Sequence, residues 1–337
     1  MLNTVRSTSD KLKFKDYTKH GDIDKYIAEH VGIAWTEYRQ KWKNATTLKE
    51  FYHFPLYITL EQHFKCNYSC IMCYHSDKKQ KDLLNHKQRL SRNDMIKIIN
   101  EVSKLGTPSL CMNAGNEPLM DKDIWKWVKY AKQQGILDVF MTTNGSLLTE
   151  DMAKKLIDAG LTQIRVSIDA FTPETYKKIR GHDLEKVKKN VLNLIELRDK
   201  KGSFFPMIRV SFVEMKINIH EFESFRDYWK KLVDYVSIQR FTPVNLKPEM
   251  LRLTPERPIH KKTVCSMPFC MLYIRGDGET YPCGRIEYGS SIGNIKYNSI
   301  YEMWNGEKLN NIRELLIDLK YKELPGCNDC FTSASLI

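Results

Sequence analysis

No stretch of these 337 residues stays apolar for the 18 or more positions that a membrane-spanning helix needs. The opening segment, MLNTVRSTSDKLKFK, lacks the apolar core of a secretion signal, so the chain is expected in the cytoplasm. Internal repeats and low-complexity tracts are missing, which argues against a solenoid or a disordered tail. Acidic residues run short: 41 against 53 lysines and arginines, a net charge of +12. Such a balance suits a polyanionic partner or a phosphorylated substrate, and equally a lysine-rich solvated surface. The lysines are scattered through helical stretches such as KKLIDAG and KVKKN, which favours the solvated surface over a nucleic-acid site. Cysteine is absent between 112 and 264, and the nine present make an odd set. That pattern disfavours a disulfide framework and favours two separate metal centres.

What is present begins with length and texture. With 42% apolar and 28% charged residues, the chain has an ordinary globular composition. Its length suits one large domain with an appendage, or two modest ones. Residues 1–55 read as a polar, helical extension. Beyond it, apolar runs alternate with amphipathic helices. Strands are predicted at 57–64, 109–114, VFMTT, 163–169, 207–215 and 236–241. Helices are predicted at 92–105, before Gly135, at 149–160 between a Thr cap and Gly160, near 183–201 and in HEFESFRDYWKKL. Parallel strands need crossover connections, so the series implies β/α units of a partial or complete barrel, with its site at the strands' carboxyl ends. The proline-rich 242–258 reads as a linker. Residues 269–283 look like a β-hairpin turning at Gly276-Asp277-Gly278, followed by a helix around 299–318.

Cys66, Cys70 and Cys73 directly follow the first predicted barrel strand. Three close thiolates can hold three irons of a cubane and leave the fourth open to a small ligand. A structural zinc would need a fourth ligand, for which His63 and His75 are near enough in sequence. The C-x3-C-x2-C spacing resembles the signature of radical S-adenosylmethionine (SAM) enzymes, with Met72 at the apolar position that touches adenine. Further segments resemble that family in order, each after a successive strand. Gly115-Asn116-Glu117-Pro118 is similar to its GGEP motif, with Asn116 replacing a glycine; there the Glu and neighbouring backbone bind the methionine amino group. Thr142-Thr143-Asn144-Gly145 resembles the TNG motif near the ribose. Ser167 and Asp169 match its SxD, and Val213 to Asn218 fall where the fifth strand packs by adenine. Singly, these residues are an ordinary turn pair, helix cap or loop carboxylate. The resemblance covers roughly residues 56–240. It implies SAM and a [4Fe–4S] cluster, electrons from a flavodoxin- or ferredoxin-type reductant, and a 5′-deoxyadenosyl radical that takes hydrogen from an unactivated carbon.

Toward the carboxyl end, Cys265, Cys283, Cys327 and Cys330 supply four more thiolates, enough for a closed second cubane or, as CxxC pairs allow, a zinc ribbon. CSMPF, DGETYPC, SIGNI and GCNDC resemble the auxiliary-cluster region called SPASM, or twitch in its shorter form. Without further cysteines, one auxiliary [4Fe–4S] cluster is expected. The expected α/β fold is therefore a partial (β/α)6 TIM-like barrel (56–241), a linker (242–258) and an auxiliary-cluster domain of β-hairpin plus helix (259–337). Cys111 and Cys270 are left over. Each reads as a buried small residue, and each is a candidate catalytic hydrogen donor should the reaction be an epimerisation. Dehydrogenation, with the auxiliary cluster accepting an electron, is slightly favoured. By elimination among relatives with this rear region, the substrate is a small polar metabolite, carbohydrate-like or phosphorylated. Peptide- and RNA-modifying enzymes, and a non-enzymatic zinc protein, are the alternatives.

Overall fold

The computed structural model describes residues 15–77, 88–241, 248–255, 264–284 and 291–327. Its first strand, β1 (Lys15–Thr18), precedes helices α1 (Ile23–Val31) and α2 (Ile33–Thr46). The barrel strands are β2 (Tyr57–Leu60), β3 (Ser109–Cys111), β4 (Asp138–Thr143), β5 (Gln163–Ser167), β6 (Met207–Glu214) and β7 (Tyr235–Arg240). Between them run α3 (Arg92–Lys104), α4 (Ile124–Gln133), α5 (Glu150–Asp158), α6 (Pro173–Arg180), α7 (Leu184–Lys200) and α8 (Phe222–Trp229). After α9 (Pro248–Leu253) come β8 (Met271–Ile274), β9 (Glu279–Tyr281), β10 (Gly293–Asn294), α10 (Ile300–Asn305) and α11 (Glu307–Ile317).

Among the described residues, ten strands share one sheet, in the order β1-β7-β6-β5-β4-β3-β2-β8-β9-β10. Strands β2 to β7 are parallel, so their carboxyl ends form a single rim. The alternation that made them legible divides their side chains between two faces. Val139, Met141, Ile164, Val166, Ile208, Val210 and Val236 pack in the core with the helices, all fully buried. The intervening residues line the barrel's interior. Local signals start and stop the helices. Ser91 and Asp94 form a reciprocal capping box on α3, Thr149 caps α5, and Gly160 ends that unit with φ +79°. Trp35 and Tyr38 of α2 cluster with Met207 and Tyr235 and close the barrel's amino end.

Three features depart from the sequence reading. The amino-terminal extension contributes a strand as well as helices: β1 pairs antiparallel with β7, with Asp16 opposite Ser237. A polar KDYT segment becomes a strand because the edge of β7 offers it backbone partners, an effect that local propensity does not carry. Part of the proline-rich linker is helical. In α9, Met250 is buried, and Leu253 accepts a hydrogen bond from the Lys216 amide (2.9 Å). The hairpin is formed as expected, but it also extends the barrel sheet, since β8 lies parallel to β2 with Tyr57 opposite Met271. Residues 242–247, part of the same linker, lie outside the described residues.

Candidate active site at the barrel rim

The three front cysteines sit on the loop that leaves β2 at the rim, and Cys70 is buried. Neighbouring strand ends hold this loop from two sides. From β4, the Asn144 side chain donates to Asn67 Oδ1 (2.9 Å), while Asn67 donates to Ser146 Oγ (2.9 Å). From β3, Gly115 makes room for Tyr74: a Cβ there would come within 1.8 Å of the tyrosine hydroxyl. His75 Nε2 lies 3.0 Å from the Gly115 carbonyl. Gly145 is equally constrained, with φ +75° and Val166 and Val187 pressed against the space a Cβ would fill.

Glu117 is buried under this assembly. Its carboxylate accepts from Thr143 Oγ (2.6 Å), the Asn144 amide (2.8 Å) and the Leu119 amide (3.1 Å), the last in the 3-10 turn beginning at Pro118. Burial raises its pKa, and these donors oppose the rise. Glu117 thus bolts the third strand end to the second. Asn116 accepts from the Ala114 amide (3.1 Å), and its side-chain amide is 3.4 Å from Gln62 Oε1. The Gly115 amide donates to Glu61 (3.1 Å), whose other oxygen accepts from the Tyr273 hydroxyl of β8 (2.6 Å). One carboxylate thereby joins the rear hairpin to the second strand-end loop.

At the next strand end, Asp169 adopts φ +65°, and its carboxylate accepts from the Val213 amide (2.7 Å) and from Arg180. The Arg180 guanidinium also reaches Cys70 Sγ (3.6 Å). Asn218 is fully buried, donating to the Asp169 carbonyl (2.7 Å) and accepting from the Met215 amide (2.7 Å). Ser167 is half-buried at the end of β5. Met72 packs beside Ile179, Met215, Phe241 and Met250, an apolar wall next to the cysteine loop. Arg180 and Glu61 escaped the sequence reading. Nothing distinguishes Arg180 from the lysines beside it in KKIRG. A carboxylate immediately after a predicted strand could have flagged Glu61.

The donor set fits a cluster better than a single ion. A tetrahedral zinc with 2.3 Å bonds draws its sulfurs to about 3.8 Å apart. Three thiols on one loop are what three irons of a cubane take, whereas a tetrahedral ion needs a fourth donor. His63 Nδ1 instead accepts from the Lys65 amide (3.2 Å), and His75 is engaged with Gly115. Burial pushes the Cys66 thiol up to about 12 and Cys73 up to about 11, and each feels the charge of Cys70.

Toward the rear, Cys265 and Cys283 are half-buried and Cys327 buried, all against the main core. Cys330 lies outside the described residues. Cys111 lies on β3 inside the barrel, its thiol donating to the Asn113 carbonyl (3.1 Å). Cys270 is fully buried just before β8, donating to the Ser266 carbonyl (3.2 Å), and burial lifts its thiol to about 12. Its own carbonyl accepts from the Leu56 and Tyr57 amides at the start of β2. That is the end of the barrel opposite the cysteine loop.

Residues 63–214 match the radical SAM superfamily, and residues 265–331 match SPASM, the iron–sulfur cluster-binding domain. The chain belongs to the radical SAM superfamily, and it carries a SPASM region at its rear. It therefore binds SAM and a [4Fe–4S] cluster in its barrel and auxiliary iron–sulfur in the rear region. Among curated relatives, a "Probable GTP 3′,8-cyclase" of Methanococcus vannielii is 33% identical over 220 residues, which are 64% of this chain and 68% of the relative. Another of that name, from Methanocaldococcus jannaschii, is 32% identical over 53% of this chain and only 57% of its own length. Among solved structures, Streptococcus suis SuiB bound to SAM superposes with a TM-score of 0.65 at 13% identity, covering 84% of this chain and 72% of SuiB. AnSMEcpe with bound AdoMet gives 0.61 at 16%, covering 82% and 89%. These last two likenesses establish the shared fold.

Proposed function

We propose that this radical SAM enzyme removes a hydrogen atom from a small, phosphorylated metabolite of nucleotide kind, held in the barrel beneath the rim. The observation that carries the reading is the cysteine loop fixed to successive strand ends by Asn67–Asn144, Tyr74–Gly115 and Arg180–Cys70. In this reading Cys66, Cys70 and Cys73 hold the catalytic cluster, and Cys265, Cys283, Cys327 and Cys330 hold one auxiliary cluster. Bound together, cluster and SAM supply a hydrogen abstractor strong enough for an unactivated C–H bond. The protein's share is placement and the exclusion of water. Backbone at 114–116 and Asn116 receive the methionine half of SAM, Thr143, Asn144 and Ser167 its ribose, and Met72 its adenine. Glu117 and Asp169 are positioning residues, because their carboxylates are already taken by protein donors. The phosphorylated substrate is supported by the surplus of positive charge and by the name of the curated relatives.

A second reading, oxidation or epimerisation of a carbohydrate-like substrate, draws support from the Tyr273–Glu61–Gly115 link between rear region and SAM loop. If a thiol returns the hydrogen, Cys111, inside the barrel, is better placed than Cys270 at its far end.

The test is anaerobic reconstitution with iron and sulfide, reduction, and quantification of 5′-deoxyadenosine with and without GTP. About eight irons per chain are expected, with 5′-deoxyadenosine rising on addition of GTP and absent in Cys70→Ala. Zinc in place of iron with no SAM cleavage overturns the reading. Solvent deuterium in the recovered substrate favours epimerisation instead.

A further inference from the structure

Strands β5 and β6 carry the same tetrapeptide, Ile-Arg-Val-Ser, at 164–167 and 208–211, paired residue for residue. The isoleucines and valines face the helices, so both arginines and both serines face the barrel interior. Arg165 feels Tyr57 of β2, Cys111 of β3, Asp138 of β4 and Tyr235 of β7, which places its guanidinium inside the ring of strands. It lies over the Phe140 ring at 3.8 Å. Arg209 stands beside it, 6.0 Å from the Tyr235 ring centre. Neither guanidinium has a carboxylate within ion-pair distance or a hydrogen bond among the described residues, and both Nε atoms are buried without partners. Asp138, the acid nearest in influence to Arg165, is engaged by Ser109 (3.0 Å) and Gln163 (3.0 Å); Asp16, which acts on Arg209, is exposed on the edge strand. Burial and the facing Arg165 pull Arg209 down to about 10. One layer above, Ser167, Ser211 and Ser237 stand in one row across β5, β6 and β7. The hydroxyls of Ser211 and Ser237 are also buried and unpartnered.

Two like charges facing each other at low dielectric, with hydroxyls above them, form a site missing its counter-ion. The layer lies about 7 Å below Ser167, at two residues of strand rise, and so beneath the rim residues assigned to SAM. Both arginines stay partly accessible. The geometry points to Arg165 and Arg209, with Ser211 and Ser237, as the anchor for a phosphoryl group of the substrate. The guanidinium forks pair with a dianion that has several oxygens, and serine hydroxyls donate to what remains. This assignment deepens the proposed function and rests on its placing the substrate inside the barrel.

Binding of inorganic tripolyphosphate to the reconstituted full chain, followed by calorimetry, tests it. The expected result is binding by wild type, a loss of tenfold or more in Arg165→Gln and in Arg209→Gln, and no change in a Lys177→Gln, Lys178→Gln surface control. Equal affinity in wild type and the arginine variants overturns the assignment, as does absence of binding in wild type. SAM affinity should stay constant. A parallel fall gives the pair to the carboxylate of SAM instead, and the assignment fails. Thermal unfolding guards against misfolding: without phosphate, Arg209→Met should melt at or above wild type, because an unpaired charge is gone, and tripolyphosphate should no longer raise its melting temperature. A variant that melts lower while wild-type stability ignores tripolyphosphate assigns the pair a structural role. Failure of the proposed function looks different: phosphate still binds through the arginines while wild type never cleaves SAM.

Discussion

Two regions of the barrel treat buried charge in opposite ways. Behind the sheet, Arg198 of α7 donates to Asp234 (2.5 Å) and to the Pro206 carbonyl (3.2 Å), and Asp234 also accepts the Ile208 amide (2.7 Å). At the rim, Arg180 is matched likewise by Asp169 and Cys70. Inside the barrel, Arg165 and Arg209 have no such partners among the described residues. His63, buried near the rim, resembles them in one respect: its Nε2 has no partner among the described residues. A histidine resolves that by giving up its proton. Arginine cannot, since its pKa lies far above neutrality even when lowered. The comparison separates charge the fold uses from charge it leaves exposed to a ligand.

The largest effect should come from breaking the matched pair. Asp234→Ala leaves the Ile208 amide without its acceptor, and it takes from Arg198 its buried carboxylate, leaving it the Pro206 carbonyl and the exposed Asp199. A loss of about 3–5 kcal/mol is expected, read as a lower urea midpoint at unchanged slope. A loss below about 1 kcal/mol would mean that matched and unmatched arginines differ less than the geometry says.

His63 sharpens the same contrast through pH. Burial lowers its pKa to about 4, from the ordinary 6.5, with Arg89 and Lys65 lowering it further and Asp121 opposing. Between those values the unfolded chain binds a proton that the folded chain refuses. Stability should therefore fall as pH drops from about 6.5 toward 4, by up to about 3 kcal/mol from this group. In His63→Gln that component disappears, so the variant's stability relative to wild type should rise as the pH falls from about 6.5 toward 4. A difference that stays flat with pH would show that His63 is protonated in the fold.

Much of this architecture was legible in advance, because periodicity and caps are local. Thr149 and Gly160 bracket α5, and the six parallel strands follow from alternating runs. The cysteine loop was legible because its spacing is written in contiguous residues. Hidden features depended on distant partners. β1 is a strand only because β7 has a free edge, and Arg180 acts only because α6 ends beside Cys70. The inward arginines lay in plain view as Ile-Arg-Val-Ser, twice. Their meaning required the register that sets one beside the other, since an isolated strand arginine reads as a surface residue.

The smallest expected effect completes the scale. Lys155 and Asp151 on α5 form a pair at 2.6 Å, tighter on paper than many buried contacts, with 41% and 72% of their side chains exposed. Water screens both charges, and holding two long side chains in place costs entropy that offsets most of the attraction. Lys155→Gln should change stability by less than about 0.5 kcal/mol, and less still in 1 M salt. If it instead approached the Asp234→Ala loss, short distance alone would set the worth of an ion pair, and burial would not. The contrast drawn between Arg198 and the two interior arginines would then lose its physical basis.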